Sequence, residues 1–477
     1  MPLFDQDGLE RDSGNAAGAG EAGSGAVTAA VKEYCLSYNQ EFFCMLDEGD
    51  HRGAFGDRHT LVGRWWLTGP VDVATLQAAL DDVVSRHEIL RTSIARTAVP
   101  RYQLVHPPTS VRLKVQQLVE SPGESRQLHC ERLMADCQAE PFNVADLPLL
   151  RAVLGRFDER EAVLILTMHH IACDAWSMQV LIAELAACYA RRRGFQVDRP
   201  PIHQYREYCR AQRIEVDLDR LRLSQDFWQA TLAGARPFQL PVRPGSAPGR
   251  TGYAMQNFAV TGELVAAISR LAREARSSPF MVLLSAFYLL AHRITGESDL
   301  TVPPFTTGRN DSRFHQTIGP FLNLLPVRTD LAGCRTFRDV LVRTRASCLA
   351  AYSHDIPFEL IEQATPGLFS AGAGNGRTLV AFEMVQGPAP ASSNELVVGD
   401  LAYAEVHSRL LADGDCPDLP NGMLWILGLV GPDELVGTVQ FSRAEFELAA
   451  ITDLVASYSQ VLKDSVQYPD AALLPAP

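Results

Sequence analysis

The segment that most constrains this chain is Ala162-Val163-Leu164-Ile165-Leu166-Thr167, an apolar run that reads as a buried strand. It passes at once into Met168-His169-His170-Ile171-Ala172-Cys173-Asp174-Ala175-Trp176-Ser177, of pattern HHxxxDxxS. From Met178 to Tyr189 the apolar residues recur at helical spacing. Two histidines therefore stand where a strand gives way to a loop and then to a helix. Rigid flanking elements hold side chains firmly at such junctions, and catalytic groups concentrate there. Histidine is the natural general base near neutral pH, because its unperturbed pKa is about 6.5. Asp174 lies past a turn, where it folds back to brace the loop. The plain alternative is an ordinary pair of satisfied core histidines. A metal site is disfavoured: neighbouring histidines on a strand point to opposite faces, and no HExxH or CxxC accompanies them.

A chain of 477 residues exceeds one typical domain, so two lobes are expected. Residues 1–27 are rich in Gly and Ala and read as a disordered tail. Residues 28–195 form an N-terminal lobe carrying HHxxxDxxS, with an amphipathic helix from Thr75 to His87 that buries Leu76, Leu80, Val83 and Val84. Residues 196–252 read as a linker, with a helical segment from Tyr205 to Leu232 and a Pro/Gly-rich extended crossing from Pro237 to Gly252. Residues 253–477 form a C-terminal lobe, with helices over Glu263 to Ala275 and Phe280 to Ile294 and strands over Leu300 to Pro303 and Leu424 to Val430. Strands and helices alternate in both halves, which gives an α+β class.

Charge and cysteine content narrow the partners. The net charge is −13 with no basic run, which argues against nucleic acid and anionic membranes. Strong electrostatic steering of an acidic partner is also disfavoured. The ten cysteines are scattered without metal-ligand spacing and read as small buried residues in a reducing, cytoplasmic compartment. Cys173 reads as structural despite its place in the motif. The polar, acidic N-terminus resembles no signal peptide, and no segment reads as membrane-spanning.

Several separated segments, in order, give the chain a family resemblance. Leu36-Ser37-Tyr38-Asn39-Gln40-Glu41 resembles an opening motif, although Phe42-Phe43-Cys44-Met45 replaces its usual tryptophan-containing end. Ser85-Arg86-His87-Glu88-Ile89-Leu90-Arg91-Thr92 matches RHExLRT, and HHxxxDxxS follows. His203-Gln204-Tyr205-Arg206-Glu207-Tyr208 is a weak likeness of a tyrosine-rich motif. Ile318-Gly319-Pro320-Phe321-Leu322-Asn323-Leu324-Leu325-Pro326-Val327-Arg328 and His354-Asp355-Ile356-Pro357-Phe358-Glu359 complete the series. Together they resemble the condensation domains of nonribosomal peptide synthetases. The likeness implies two chloramphenicol-acetyltransferase-like lobes in a V-shaped pseudo-dimer with an active-site tunnel between them.

The resemblance implies amide or ester formation between an acyl or aminoacyl thioester and an amine or alcohol. The donor rides on the phosphopantetheine arm of a peptidyl or acyl carrier protein; no bound cofactor and no metal is expected. The acceptor is a small molecule if the chain acts as a free-standing enzyme, or a second carrier-bound substrate if it is part of a megasynthase. His170 is the expected catalytic group, as base or as positioner of the nucleophile. His169 packs or hydrogen-bonds into the strand, and Asp174 is expected to form a bidentate pair with Arg309. Ser177 is expected to cap the following helix. Arg86 and Arg91 are expected to pair with nearby carboxylates such as Glu88 or Asp82. Asn323 either orients substrate or satisfies a loop. Ala175 stands where the family usually has Gly, which would strain a turn that needs positive φ.

Relatives with other activities fit less well. The epimerase segment EGHGRE is absent, and His169-His170 excludes the DxxxxD pattern of heterocyclising relatives. A coenzyme A-dependent acyltransferase of the same superfamily would carry a DFGWG segment, also absent. A non-catalytic condensation-like recruitment domain would be expected to lose the motif residues retained here.

Overall fold

The computed structural model describes residues 31–473, except 52, 120–122, 216, 243–251, 369–376, 386–394, 408–412, 417–421 and 432. The expected tail at 1–27 lies outside the described residues. The chain divides into two compact units. The first takes the chain up to residue 216, with Arg309–Phe321 and Glu395–Val406; the second takes the remainder. This differs from a simple split into 28–195, 196–252 and 253–477. Two segments of the C-terminal half belong to the first unit, and one of them carries Arg309.

The first unit is built on a six-stranded sheet ordered Glu395–Val398, Leu401–Glu405, Thr60–Thr68, Glu161–His169, Leu150–Arg156, Arg112–Gln117. Only the last two strands are parallel. Glu161–His169 is buried on both faces, which is why it reads as a continuous apolar run. Val163 and Ile165 pack with Cys130, Leu133 and Met134 of the helix Arg126–Ala139. Leu164, Leu166 and Met168 face the opposite way, into a core shared with the helices Val73–Arg86 and Ala175–Arg192. The alternation follows the period of two that a strand imposes. Truncating Leu166 to Ala there would cost about 2–5 kcal/mol.

The second unit has its own six-stranded sheet, ordered Asp413–Asp415, Tyr253–Thr261, Glu434–Ser442, Met423–Val430, Arg377–Met384, Gln239–Pro241. Trp425, Phe287, Phe382, Tyr458 and Phe258 meet in an aromatic core with ring centroids 5.1–6.5 Å apart, within the range of favourable ring pairs. Four strands of each sheet repeat one topology. Thr60–Thr68, Glu161–His169, Leu150–Arg156 and Arg112–Gln117 correspond to Tyr253–Thr261, Glu434–Ser442, Met423–Val430 and Arg377–Met384. In both sets the only parallel pair joins the third and fourth of these. A helix follows the first strand (Val73–Arg86, Glu263–Glu274), and another follows the second (Ala175–Arg192, Leu448–Gln467).

Two local readings change. The helical stretch from Tyr205 to Leu232 is two helices, Tyr205–Ile214 and Leu218–Leu232. Asp217 starts the second by accepting from the backbone N–H groups of Asp219 and Arg220, an N-cap signal that overrides the continuous helical pattern. In the crossing from Pro237 to Gly252, Gln239–Pro241 pairs with Arg377–Leu379, while residues 243–251 lie outside the described residues. Among the described residues no single helix is long and apolar enough to cross a membrane.

Candidate active site

The two motif histidines part company at the end of the strand. His169 closes Glu161–His169, fully buried, with Nε2 2.9 Å from the carbonyl of Gly56, and its Nδ1 accepts from the Ile171 N–H. Burial pulls its pKa down to about 4, so the ring is neutral at physiological pH. His170 opens a short 3₁₀ turn, His170–Ala172. It keeps partial solvent exposure although protein atoms surround it. Its Nδ1 is buried without a hydrogen bond of regular geometry, which leaves Nε2 as the accessible nitrogen. Burial lowers the pKa of His170; its own backbone, Asp174 and the Cys173 backbone offset this in part. A neutral imidazole with an accessible nitrogen has the protonation state a general base requires.

Asp174 holds the loop. It is the N-cap of Ala175–Arg192, and Oδ1 accepts from the Ser177 N–H at 2.7 Å. Oδ2 accepts from the Phe321 N–H at 3.0 Å. Arg309 completes the set: Nη2 lies 3.1 Å from Oδ1 and 3.3 Å from Oδ2, with both side chains 1% exposed. The expected partner is therefore in place, but the geometry is not the two-nitrogen fork of a bidentate pair. One nitrogen spans both oxygens, because Nη1 is spent on the carbonyls of Phe314 and Thr317 at 2.8 and 2.7 Å. The guanidinium also lies over the Phe321 ring, 3.8 Å from its centroid. A buried carboxylate held by this many donors fixes the loop that carries His170.

Ser177 does not cap the helix; Asp174 already does. Its Oγ donates to the carbonyl of Gly319 at 2.8 Å and accepts from the Gly319 N–H at 3.0 Å and from Arg309 Nη2 at 2.8 Å. Beneath this link, Tyr205 Oη donates to the Pro320 carbonyl at 2.8 Å and lies 2.8 Å from Ser37 Oγ. Ser37 in turn caps the helix Tyr38–Met45 with a capping box closed by Gln40. Four motif segments far apart in sequence thus join one buried network: Leu36–Glu41, His169–Ser177, His203–Tyr208 and Ile318–Phe321. Gly319 is required in it, since a Cβ there would stand 2.0 Å from the Tyr205 ring.

The other expected residues do different work. Arg86 does not pair with Asp82 or Glu88; its Nε lies 3.1 Å from Glu184, which also meets Arg199 at 3.3 Å and His87 at 3.7 Å. Asp82 pairs with Arg192, and Glu88 with Arg206. Arg91 donates to the carbonyls of Val84, Ser85 and His106 rather than to a carboxylate. Both arginines stitch the fold, because the helix packing brings other partners nearer than sequence neighbours. Asn323, in the second unit, satisfies a loop: Nδ2 donates to Asp355 and to the Ile356 carbonyl, and Oδ1 accepts from the Phe358 N–H. Ala175 begins the helix, and Arg276 is the only non-glycine residue of positive φ among those described, so the Gly-to-Ala departure carries no backbone strain. Cys173 is buried, and burial raises its thiol pKa well above the usual value, which leaves it unreactive. Among the described residues no cluster of three or more His, Cys, Asp or Glu is placed to hold a metal ion.

One residue at the site has no signal in the sequence. His59, 6% exposed, stacks on His170 with ring centroids 4.8 Å apart and planes at 14°. Phe43, from the segment that departs from the opening motif, meets both rings edge-on at 6.0 and 6.1 Å. Only strand register reveals His59, because Thr60 pairs directly with His169.

A family model described as a condensation domain matches residues 63–367. Among solved structures the chain is similar to the SgcC5 protein from Streptomyces globisporus, crystallised with (R)-(-)-1-(2-naphthyl)-1,2-ethanediol and sucrose. The two are 39% identical, with a TM-score of 0.87, over 92% of this chain and 100% of that one. A linear gramicidin synthase polypeptide from Brevibacillus parabrevis is 30% identical over 450 residues, 92% of this chain but only 8% of that protein. The fold alone is shared with the X-domain from teicoplanin biosynthesis, at 23% identity and a TM-score of 0.74, over 93% of this chain and 97% of that one.

Proposed function

The chain belongs to the condensation-domain family of acyl-transferring enzymes, and from that premise we propose that it joins a carrier-tethered acyl or aminoacyl thioester to the hydroxyl or amine of a small acceptor. The observation that carries this reading is His170: accessible at Nε2, neutral through burial, and fixed by a loop that Asp174, Arg309 and Ser177 lock from behind. In the proposed reaction the acceptor O–H or N–H gives its proton to His170 as its lone pair attacks the thioester carbonyl. The C–S bond then breaks, and the departing thiolate takes the proton back. Holding the two substrates together supplies much of the rate, up to roughly 7–11 kcal/mol in the best intramolecular cases.

Hydroxyl acceptance is the preferred form. A neutral amine needs little help from a base, whereas an alcohol needs more, and the site invests an aromatic-flanked imidazole. The similar SgcC5 protein was crystallised with an aromatic vicinal diol, which points the same way. The donor is proposed to arrive on the phosphopantetheine arm of a carrier protein, with much of its binding energy remote from the reacting carbonyl. The test is to titrate a carrier-loaded acyl donor against the same acyl group on coenzyme A, with matched aromatic alcohol and amine acceptors, reading products by mass. Carrier-loaded donor should react with the higher kcat/KM, and the alcohol should give ester. Equal kcat/KM for the two donors would assign the chain to coenzyme A-dependent transfer, and amide without ester would overturn the hydroxyl preference.

A further inference from the structure

The base reading leaves one buried imidazole in the site without a task. His59 ends a tight turn just before the strand Thr60–Thr68, with its N–H 3.0 Å from the Gly56 carbonyl. The same Gly56 carbonyl receives Nε2 of His169 at 2.9 Å. The His59 carbonyl in turn receives the backbone N–H of His170 at 2.9 Å. So His169 grips the start of the turn, and the end of the turn touches His170 twice, by this backbone bond and by the ring stack. Phe43 closes the edge of the stack, and the Phe142 ring, 6.2 Å away, backs His169. The turn is held from outside as well, since the Phe142 N–H donates to the Asp57 carbonyl at 2.7 Å.

We propose that His59 is a positioning residue for the reaction: its ring, stacked on His170, fixes the plane of the reacting imidazole, and His169 acts on His170 through the Gly56–His59 turn. The proposal rests on the reading of His170 as the proton acceptor. A ring that takes a proton must present its lone pair along one direction, and the loop Asp174 and Arg309 secure is backbone; it leaves the His170 side-chain torsions to be set by what the ring meets. No hydrogen bond of regular geometry fixes Nδ1, and the flat face of His59 lies stacked against the ring at 4.8 Å. A loss of orientation of this kind acts on kcat, because it displaces the reacting atoms without removing a binding contact.

The experiment measures kcat and acceptor KM on the full chain with carrier-loaded donor for His59→Leu, His59→Phe, His169→Gln and the double variant His59→Leu/His169→Gln. His59→Leu should lower kcat by about 10- to 100-fold, the scale of a misplaced reacting group, with acceptor KM nearly unchanged. His59→Phe keeps a flat ring and should restore kcat to within about threefold of wild type, since stacking rather than a second nitrogen is the proposed role. The double variant should be little slower than the slower single variant. A Phe variant as slow as Leu, a Leu variant at wild-type speed, or losses that multiply in the double variant would each overturn the proposal. Should His59→Leu fail to fold, ring-to-ring nuclear Overhauser contacts between His59 and His170 in histidine-labelled wild-type protein decide the stack, and their absence overturns it. His170→Ala separates the two readings. If it turns over normally, the base reading falls; if it is inactive while His59→Leu is normal, only the positioning role falls.

Discussion

The two units share four strands in the same connection and the same two flanking helices, yet they fill the equivalent junction with opposite materials. In the first unit, the strand Glu161–His169 passes to the helix Ala175–Arg192 through two histidines, a short turn and a capping aspartate. In the second, Glu434–Ser442 passes to Leu448–Gln467 through Arg443-Ala444-Glu445-Phe446-Glu447. Among the described residues the buried histidines, arginine and aspartate all belong to the first unit: His59, His87, His169, Arg309 and Asp174. The buried polar residues of the second are mostly Ser and Thr, beside a large aromatic core. The topology is therefore a scaffold indifferent to chemistry. One copy accepts the cost of buried charge at the proposed site, and that cost demands the dense network around Asp174.

The sharpest way to break this contrast is to remove its proposed reacting group. We expect His170→Ala to cut product formation from a carrier-loaded donor by about 10²–10⁴-fold, the usual scale for general acid–base catalysis. The thermal midpoint should hardly move, because the ring is partly exposed and its loop is held by other residues. Near wild-type turnover would make the first-unit junction as silent as that of the second.

The next largest effect concerns stability. Asp174→Ala leaves Arg309 buried and uncompensated, at a cost of about 3–5 kcal/mol. The Ser177 and Phe321 N–H groups lose their acceptor as well. A double-mutant cycle with Arg309→Ala, followed by denaturant unfolding, should show strong coupling. Additive losses would show that the contact contributes nothing beyond its separate parts.

Much of this site is legible in the sequence, and most of the misses share one physical origin. The strand, the turn and the helix around His170 follow from local periodicity, but the cap expected at Ser177 is Asp174, three residues earlier. Arg309 lies 135 residues from Asp174, and nothing in local spacing links them; only the family resemblance does. Proximity along the chain matches Arg86 and Arg91 to Asp82 and Glu88, but those carboxylates are claimed by Arg192 and Arg206 from other helices. His59 depends on which residue pairs with His169 across the sheet. The repeated topology of the two units leaves no internal sequence repeat to read, because connectivity constrains strand order, not side-chain identity; only the family resemblance implies it. Local rules thus recover most elements, while long-range register and helix packing decide partners.

Acidification should sharpen the comparison further. His169 has a folded pKa of about 4 against 6.5 unfolded, and His170 and His87 are also pulled down by burial. Below the unfolded value the unfolded chain binds more protons than the folded one. Stability is therefore fully present above it and is lost as pH falls towards the folded value. For His169 alone the loss reaches at most about 3 kcal/mol. Hydrogen exchange, corrected for intrinsic rates, should show Glu161–His169 losing protection between about pH 7 and pH 5 before Met423–Val430 does. His169→Gln should flatten that dependence by one proton. Parallel loss in both strands would mean that the buried histidines do not set the acid sensitivity of the first unit.

The smallest predicted effect compares one glycine from each unit. At Gly319 a methyl group would press on the Tyr205 ring at 2.0 Å, and Tyr205 is itself held by Ser37 and the Pro320 carbonyl, so the ring has little room to give. At Gly428, inside a strand of the second unit, the nearest atom to an added Cβ is Val436 Cγ2 at 3.7 Å, an ordinary contact. Gly319→Ala should cost about 1–3 kcal/mol through overpacking, with loss of activity as the Ser177–Gly319 link shifts. Gly428→Ala should change stability by no more than about 0.5 kcal/mol and leave activity alone. Denaturant midpoints and turnover measured side by side check both. Because Gly319 has no positive φ, a large cost there must come from the Tyr205 contact rather than from backbone strain. Tyr205→Phe should not relieve it, since the ring remains, whereas Tyr205→Leu in the Gly319→Ala background should recover part of the loss. If Leu brings no recovery, the tyrosine is not what excludes a side chain at Gly319, and the convergence of motifs at that point has another cause.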